Sequence, residues 1–315
     1  MDAAIALGER GRGRTAPNPN VGCLIVRDEI VVGRGWTQAG GRPHAEAVAL
    51  EQAGDAAHGA IVYVTLEPCA HESGRGPACA DLLVAARPAR VVIAAGDPDP
   101  RTNGRGAALL RDAGIAVETG LRREAAEASL AGFLSRVRRG RPFVTLKLAL
   151  SIDGMIAMAS GESRWITGEE ARAHAHLERA RSDMILVGRG TYDADAPRLD
   201  VRLAGLEDRS PRRALLTTGS PVEGWTRLSS PQAIRTLADV NDLLVEGGAE
   251  TASSFLAGDL VDRLLVYRAP ILIGAGTPAL GPIGAGALAD THGRWRRAET
   301  RPLGIDTLEV YERTR

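Results

Sequence analysis

The chain has 315 residues, and at about 150 residues per domain that length fits two domains. Hydrophobic residues at 44% and charged residues at 25% exclude a disordered or fibrous chain. With 39 basic and 39 acidic residues there is no global field to draw it onto nucleic acid or a membrane surface, and neither is an expected partner. No apolar run approaches the roughly 20 residues of a spanning helix. The start, Met1-Asp2-Ala3-Ala4, lacks the basic and apolar regions of a secretory signal, so a cytoplasmic protein is expected.

Aromatic residues are only 3%, so the core must be built from Val, Leu, Ile and Ala. Lys147 is the only lysine against a background of arginine, which singles out a compact, titratable ammonium. The three cysteines, Cys23, Cys69 and Cys79, form an odd set and read as metal-binding or buried thiols, not a disulfide framework.

In chain order, residues 2–12 read as a short helix, and 21–26 and 30–35 as two strands joined by a tight turn. Residues 44–53 are helical behind Pro43. Strands follow at 61–66 and 91–95, with helices near 77–86 and 105–113 between and after them. Residues 122–136 form one more helix. The basic, Gly- and Pro-punctuated run 136–142 reads as a solvated junction, which divides the chain into domains 1–140 and 141–315. A second β/α alternation then begins. It has strands at 143–150, 184–187, 213–217, 242–246 and 262–267, helices at 169–180, 231–239 and 249–257, and a Gly-rich, strand-like end. The expected fold class is α/β, in two domains.

The strongest constellation is His44-Ala45-Glu46, then Glu67-Pro68-Cys69, then Cys79. One imidazole and two thiolates suit Zn²⁺ with its fourth tetrahedral position open to water. The metal lowers the pKa of that water to about 7. Glu46, two residues from His44 at a helix start, is placed to move the proton from water to a leaving amine. A closed structural site would instead need His71 or Cys23 as fourth ligand.

The H-x-E … P-C … C order is the signature of the zinc nucleobase deaminases. Nine residues separate the cysteines where the common form has two, and that long loop resembles the RibD family of bifunctional riboflavin-biosynthesis enzymes. The segments TAPNPNVGCLIV (15–26), PHAEAVAL (43–50) and YVTLEPCAH (63–71), and the stretch from Asp97 to Gly106, point the same way. The inter-cysteine loop is one residue longer than the family's usual form, with Glu72-Ser73 holding the insertion. The resemblance implies a cytidine-deaminase-like α/β/α zinc domain acting on 2,5-diamino-6-ribosylamino-4(3H)-pyrimidinone 5′-phosphate. It places Asn20 against the pyrimidine and Arg75 against phosphate or ring.

In the second half no Rossmann fingerprint is convincing, since Gly274 and Gly276 are followed by Thr-Pro and not a helix. Glu246-Gly247-Gly248-Ala249 follows a strand and opens a helix, where free N–H groups suit a pyrophosphate. The segments 146–167, 187–202 and 243–256 resemble the reductase domain of the same family, implying a dihydrofolate-reductase-like α/β fold and NADPH. By that resemblance Ala149, Trp165, Thr191, Asp195 and the segment Gly248, Ala249, Glu250, Thr251, Ala252, Ser253 and Ser254 meet the cofactor. Ser163, Arg179, Leu199, Arg202 and Glu246 meet the substrate, the two arginines being suited to the 5′-phosphate. Lys147 and Glu246 are candidate proton-transfer helpers as hydride reaches C1′ and ribosyl becomes ribityl. Arg189 is a candidate for the cofactor's 2′-phosphate. The expected partner is a small pyrimidine ribonucleotide, and the expected assembly a homodimer or higher homo-oligomer. The competing enzymatic reading is a deaminase of another free base or nucleoside whose second domain is not catalytic. Outside enzymes, the alternatives are a nucleic-acid reader, disfavoured by charge and aromatic content, and a structural zinc module.

Overall fold

The structure, a computed structural model, describes residues 1–71 and 74–315. The chain forms two compact units, Met1–Arg141 and Pro142–Arg315.

The first unit runs α1 (Asp2–Gly8), β1 (Gly22–Arg27), β2 (Ile30–Trp36), α2 (Ala45–Ala53), β3 (Ile61–Leu66), α3 (Cys79–Ala86), β4 (Arg90–Ala95), α4 (Arg105–Asp112), β5 (Ala116–Thr119), α5 (Arg123–Ser129) and α6 (Ala131–Arg139). Its sheet has the order β2-β1-β3-β4-β5; β1 is antiparallel to β2 and β3, while β3, β4 and β5 are parallel. Asp28 and Glu29 both take positive φ, the twist a two-residue hairpin needs between β1 and β2. Side chains alternate across the sheet, so α1 lies on the face of Gly22 and α2 on the opposite face, that of Gly35. A Cβ on Gly35 would sit 2.0 Å from the Ala45 carbonyl oxygen, so only glycine lets α2 approach this closely. That contact seats the helix carrying His44 and Glu46. The core is Val, Ile, Leu and Ala, with Phe133 its one aromatic residue, as the composition requires.

The second unit runs β6 (Phe143–Leu150), β7 (Met155–Met158), α7 (Glu169–Ala180), β8 (Met184–Gly188), α8 (Arg189–Asp195), β9 (Arg212–Leu216), β10 (Thr226–Leu228), β11 (Asp242–Val245), α9 (Ala249–Ala257), β12 (Arg263–Arg268), β13 (Gly276–Pro278), β14 (Trp295–Leu303) and β15 (Asp306–Arg313). Eight strands form one sheet in the order β10-β9-β8-β11-β6-β12-β15-β14. The run from β10 to β12 is parallel, and β15 and β14 close the edge antiparallel. Central strands β8 and β11 are buried along their whole length, which explains their continuous apolar sequence. On β6 burial alternates toward its end, and Lys147 and Ala149 fall on the less buried face.

Several expectations need correction. The helix at 122–136 is two helices broken at Leu130, where Asn20 Nδ2 donates to the Ser129 carbonyl and draws it out of the ladder. The basic junction is not a solvated linker. Arg136, Arg138 and Arg139 form the last turn of α6, Arg138 pairs with Glu127 at 3.1 Å, and Arg141 is buried. The helix at 231–239 is a short 3-10 helix, Pro231–Thr236, and the Thr236 hydroxyl bonds back to the Ala233 carbonyl. Short elements β5, β7, β10, β13 and α8 carry too few residues for a periodic signal.

At the start of β11, Asp183 accepts N–H bonds from Asn241 and Asp242, both at 2.9 Å. Burial, reinforced by the Asp242 charge, pushes its carboxyl up to about 7. A free aspartate titrates near 3.9, so Asp183 contributes stability that is full below about pH 4 and is lost as pH rises to about 7. Urea unfolding of Asp183→Asn at about pH 4 and about pH 8 is therefore expected to show a smaller pH dependence than wild type. An unchanged difference would remove Asp183 from this account.

Candidate active sites

In the first unit, β3 runs directly into Glu67-Pro68-Cys69, Cys79 is the first residue of α3, and His44 caps α2. The ligand atoms of His44, Cys69 and Cys79 all lie within 4.8 Å of one another. His44 Nδ1 is 3.3 Å from Cys79 Sγ and 3.6 Å from Cys69 Sγ, and the Cys79 N–H donates to Cys69 Sγ at 3.2 Å. The thiol–thiol hydrogen bond lowers the Cys69 pKa to about 4, and the same bond with burial raises that of Cys79. Zn²⁺ bound there would hold both sulfurs as thiolates. Three soft or borderline donors converging at a helix start fit Zn²⁺. Among the described residues the cluster has no fourth member. Cys23 is buried on β1 and His71 Nδ1 faces the Thr102 hydroxyl at 3.4 Å, so the closed-site alternative finds no ligand in either.

Glu46 lies in the first turn of α2 and is 3% exposed. Burial raises its carboxyl pKa, with the Cys69 charge adding to the rise and His44 opposing it. A buried carboxyl group beside the thiols is a candidate for general acid–base chemistry. Asn20 is buried with its amide N–H on Ser129, and the Arg75 guanidinium donates to the Gly40 carbonyl at 2.8 Å. Glu72 and Ser73, the expected insertion, lie outside the described residues. Asp97 was named only as part of a motif. Burial lifts it to about 6 beside Cys69 and Glu67, and no spacing rule in the sequence marks it.

In the second unit a cleft of about 1700 Å³ opens at the carboxyl ends of β6, β8, β9 and β11, where open α/β sheets bind ligands. It gathers Lys147, Ala149, Ser163, Trp165, Arg179, Thr191, Asp195, Leu199, Arg202, Glu246, Gly248, Ala249, Glu250, Thr251 and Ser254. Ala252 and Ser253 are corrections. The turn of α9 carries Ala252 into the core, and Ser253 Oγ accepts the Gly281 N–H at 2.8 Å. His176 and Asp200 join the lining although the sequence did not mark them. His176 sits one turn from Arg179 on α7, and helical spacing was the available signal.

Glu246 is gripped by Arg179 in a fork, Nε to Oε1 at 2.7 Å and Nη2 to Oε2 at 2.9 Å, with Lys147 Nζ 3.9 Å from Oε2. Burial opposes the charge, but Arg179 and then Lys147 outweigh it and hold the carboxyl down at about 2. Glu246 is thus a fixed anion and cannot donate a proton at neutral pH. A third Arg179 N–H, on Nη1, donates to the Asp200 carbonyl at 3.1 Å. Arg202 keeps a more exposed guanidinium, and its backbone N–H donates to His176 Nδ1 at 3.3 Å.

The residues around α9 fit a dinucleotide. The helix starts at Gly248 without a side-chain cap, leaving N–H groups at the cleft, and the Gly248 N–H itself donates to Thr191 Oγ1 at 3.2 Å. A Cβ on Gly188 would meet Thr251 Oγ1 at 2.1 Å, so glycine at the end of β8 lets α9 pack directly on the strand. Trp165 is 65% exposed at the rim with the Arg172 guanidinium 4.9 Å over its ring, an apolar face suited to stacking.

Both units match known families. The RibD C-terminal domain matches residues 142–308, and the cytidine and deoxycytidylate deaminase zinc-binding region matches residues 1–95. The riboflavin biosynthesis protein RibD of Escherichia coli is 41% identical, the alignment covering 97% of this chain and 96% of that protein. RibD of Mycobacterium tuberculosis is 39% identical over 98% and 95%. Among solved structures, Acinetobacter baumannii RibD superposes with a TM-score of 0.90 at 36% identity, covering all of this chain and 98% of that one. A Thermotoga maritima diaminohydroxyphosphoribosylaminopyrimidine deaminase/5-amino-6-(5-phosphoribosylamino)uracil reductase gives 0.90 at 30%, covering 100% and 97%. The fold class is the expected one in its two α/β domains, a cytidine-deaminase-like zinc-binding domain followed by a RibD C-terminal domain. Because both halves match in the same order over nearly full length, the chain belongs to the RibD family of riboflavin-biosynthesis enzymes, which join a zinc-binding deaminase domain to a reductase domain.

Proposed function

We propose that residues 1–140 deaminate 2,5-diamino-6-ribosylamino-4(3H)-pyrimidinone 5′-phosphate at the carbon bearing the 2-amino group. Residues 141–315 then reduce the ribosyl group of 5-amino-6-(5-phosphoribosylamino)uracil to ribityl with NADPH. The observation that carries the reading is the convergence of His44, Cys69 and Cys79 within 4.8 Å, with the Glu46 carboxyl buried beside them.

Zinc held by those three side chains supplies Lewis acidity and water that ionises near neutral pH. Glu46 takes the proton of the attacking water and delivers it to the departing amine as the C–N bond breaks. Asn20 and Arg75 lie on segments that flank the site and serve the substrate there. NADPH supplies the hydride in the second unit. Lys147, the one cleft cation that is not an arginine, protonates the ribose ring oxygen as it leaves C1′ and the hydride adds at that carbon. Glu246 holds the Lys147 ammonium in place, and Arg179 and Arg202, both lining the cleft, take the 5′-phosphate. Among the described residues no helix is long and apolar enough to cross a membrane. The same reading makes the protein a cytoplasmic homodimer or higher homo-oligomer, supported by exposed apolar side chains at Leu272, Leu288 and Ile305. Light scattering on the purified chain tests the assembly.

Supplied with the pyrimidinone nucleotide, the full chain is expected to release ammonia and to oxidise NADPH. A chelator should stop deamination while leaving reduction of added uracil nucleotide intact. Glu46→Gln should keep its zinc yet lose about 10²- to 10⁴-fold in ammonia release. Survival of that activity would remove Glu46 as the proton carrier. Ammonia release with no NADPH oxidation would instead favour a deaminase joined to a non-catalytic second domain.

Lys147→Met is expected to lower the reductase kcat by about 10²-fold or more with the NADPH KM little changed. Arg202→Ala should raise the nucleotide KM with the smaller effect on kcat. If Lys147→Met moved only the KM values, Lys147 would be a binding group and the proton donor would have to be sought elsewhere.

A further inference from the structure

We infer that Glu67 is a positioning residue for the metal centre, fixing the Cys69 ligand by clamping its loop onto the start of α4. The carboxylate is 6% exposed and is directed at backbone amides. Oε2 accepts the N–H of Gly104 at 3.0 Å and that of Asp97 at 3.4 Å, and Oε1 accepts the N–H of Ala107 at 3.1 Å. Gly104 is the N-cap of α4 and Ala107 its third residue, so Glu67 caps this helix from a distant part of the chain and sits at the favourable end of its dipole.

The backbone around it is equally constrained. The Glu67 N–H donates to the Ala95 carbonyl at 2.9 Å, which ties the residue to the end of β4. A Cβ on Gly106 would fall 2.1 Å from the Pro68 carbonyl oxygen and 3.3 Å from Glu67 Cγ, so α4 meets the loop backbone with no side chain between. Beyond Pro68, the Cys69 carbonyl accepts the Ala80 N–H at 3.1 Å and its sulfur accepts the Cys79 N–H. Cys69 is therefore strung between two helix starts: α3 holds it on one side, and α4 holds it on the other through Glu67. Removing the carboxylate strips three amides of their acceptor and frees one side of that suspension.

The inference rests on the proposal that Cys69 ligates zinc, and the test separates the two. Full-length wild type, His44→Ala, Glu67→Ala and Leu110→Ala are loaded with zinc, and its transfer to a chromogenic chelator is timed. Leu110 is a fully buried core residue of the same helix, so its truncation reports loss of stability alone. Glu67→Ala should hold zinc about 10- to 100-fold less well than wild type, the usual cost of losing a group that orients a metal ligand. Its deamination should fall in parallel, while its NADPH oxidation with added uracil nucleotide stays at the wild-type rate. Leu110→Ala should hold zinc normally. Should Glu67→Ala be insoluble, Glu67→Gln, which keeps one acceptor oxygen, should release zinc at an intermediate rate. Wild-type retention in the Glu67 variants, or equal loss in Leu110→Ala, overturns the clamp. A wild-type chain that takes up no zinc, or His44→Ala that keeps it, overturns the site assignment and the clamp with it.

Discussion

A parallel strand that ends where a helix begins leaves backbone N–H groups uncommitted at a sheltered position, and both reaction centres of this chain are built on that arrangement. In the first unit the chain leaves β3 and presents Cys69, and Cys79 lies on the first turn of α3, where its amide reaches the neighbouring sulfur. In the second unit β11 hands over to α9 through Glu246, Gly247 and Gly248, leaving a carboxylate and an uncapped helix start side by side at the cleft. Each site takes its anion-stabilising dipoles from the backbone, which few side chains could supply at such burial.

Charges buried there must be matched, and the matching assigns the roles. Burial raises the Glu46 carboxyl pKa against the opposing charge of His44. Glu246 has Arg179 in a two-point fork and is driven the other way, into a permanent anion that steadies Lys147. Two glutamates that look alike in sequence thus have pKa values pushed in opposite directions, according to what packs around them.

Much of this was legible in the chain itself. The H-x-E and the two cysteines carry specific chemistry at recognisable positions, and hydrophobic periodicity located the long strands and helices of both units. The composition required an aliphatic core, and Phe133 stands as the single aromatic residue in that of the first unit. Less legible were elements of three to seven residues such as β10 and α8, which complete no period. The break at Leu130 also escaped, because it depends on an amide from Asn20, more than a hundred residues away in sequence. Ala252 and Ser253 were read with their neighbours as one contact segment, and the helical turn separates them onto the opposite face.

The sequence by itself determined the chemical vocabulary: two α/β domains, a three-ligand zinc set with a carboxyl group beside it, and a cleft built around one lysine. Tertiary structure alone decided which of those groups are free to act. Arg179 is paired with Glu246 and the Asp200 carbonyl, Glu67 accepts amides of α4, and Arg202 keeps the more exposed guanidinium. The reason is physical: ligand type and helical phase are local properties, written within a few residues. Protonation state and availability are set by partners that folding brings from distant parts of the chain into a shared, poorly solvated space.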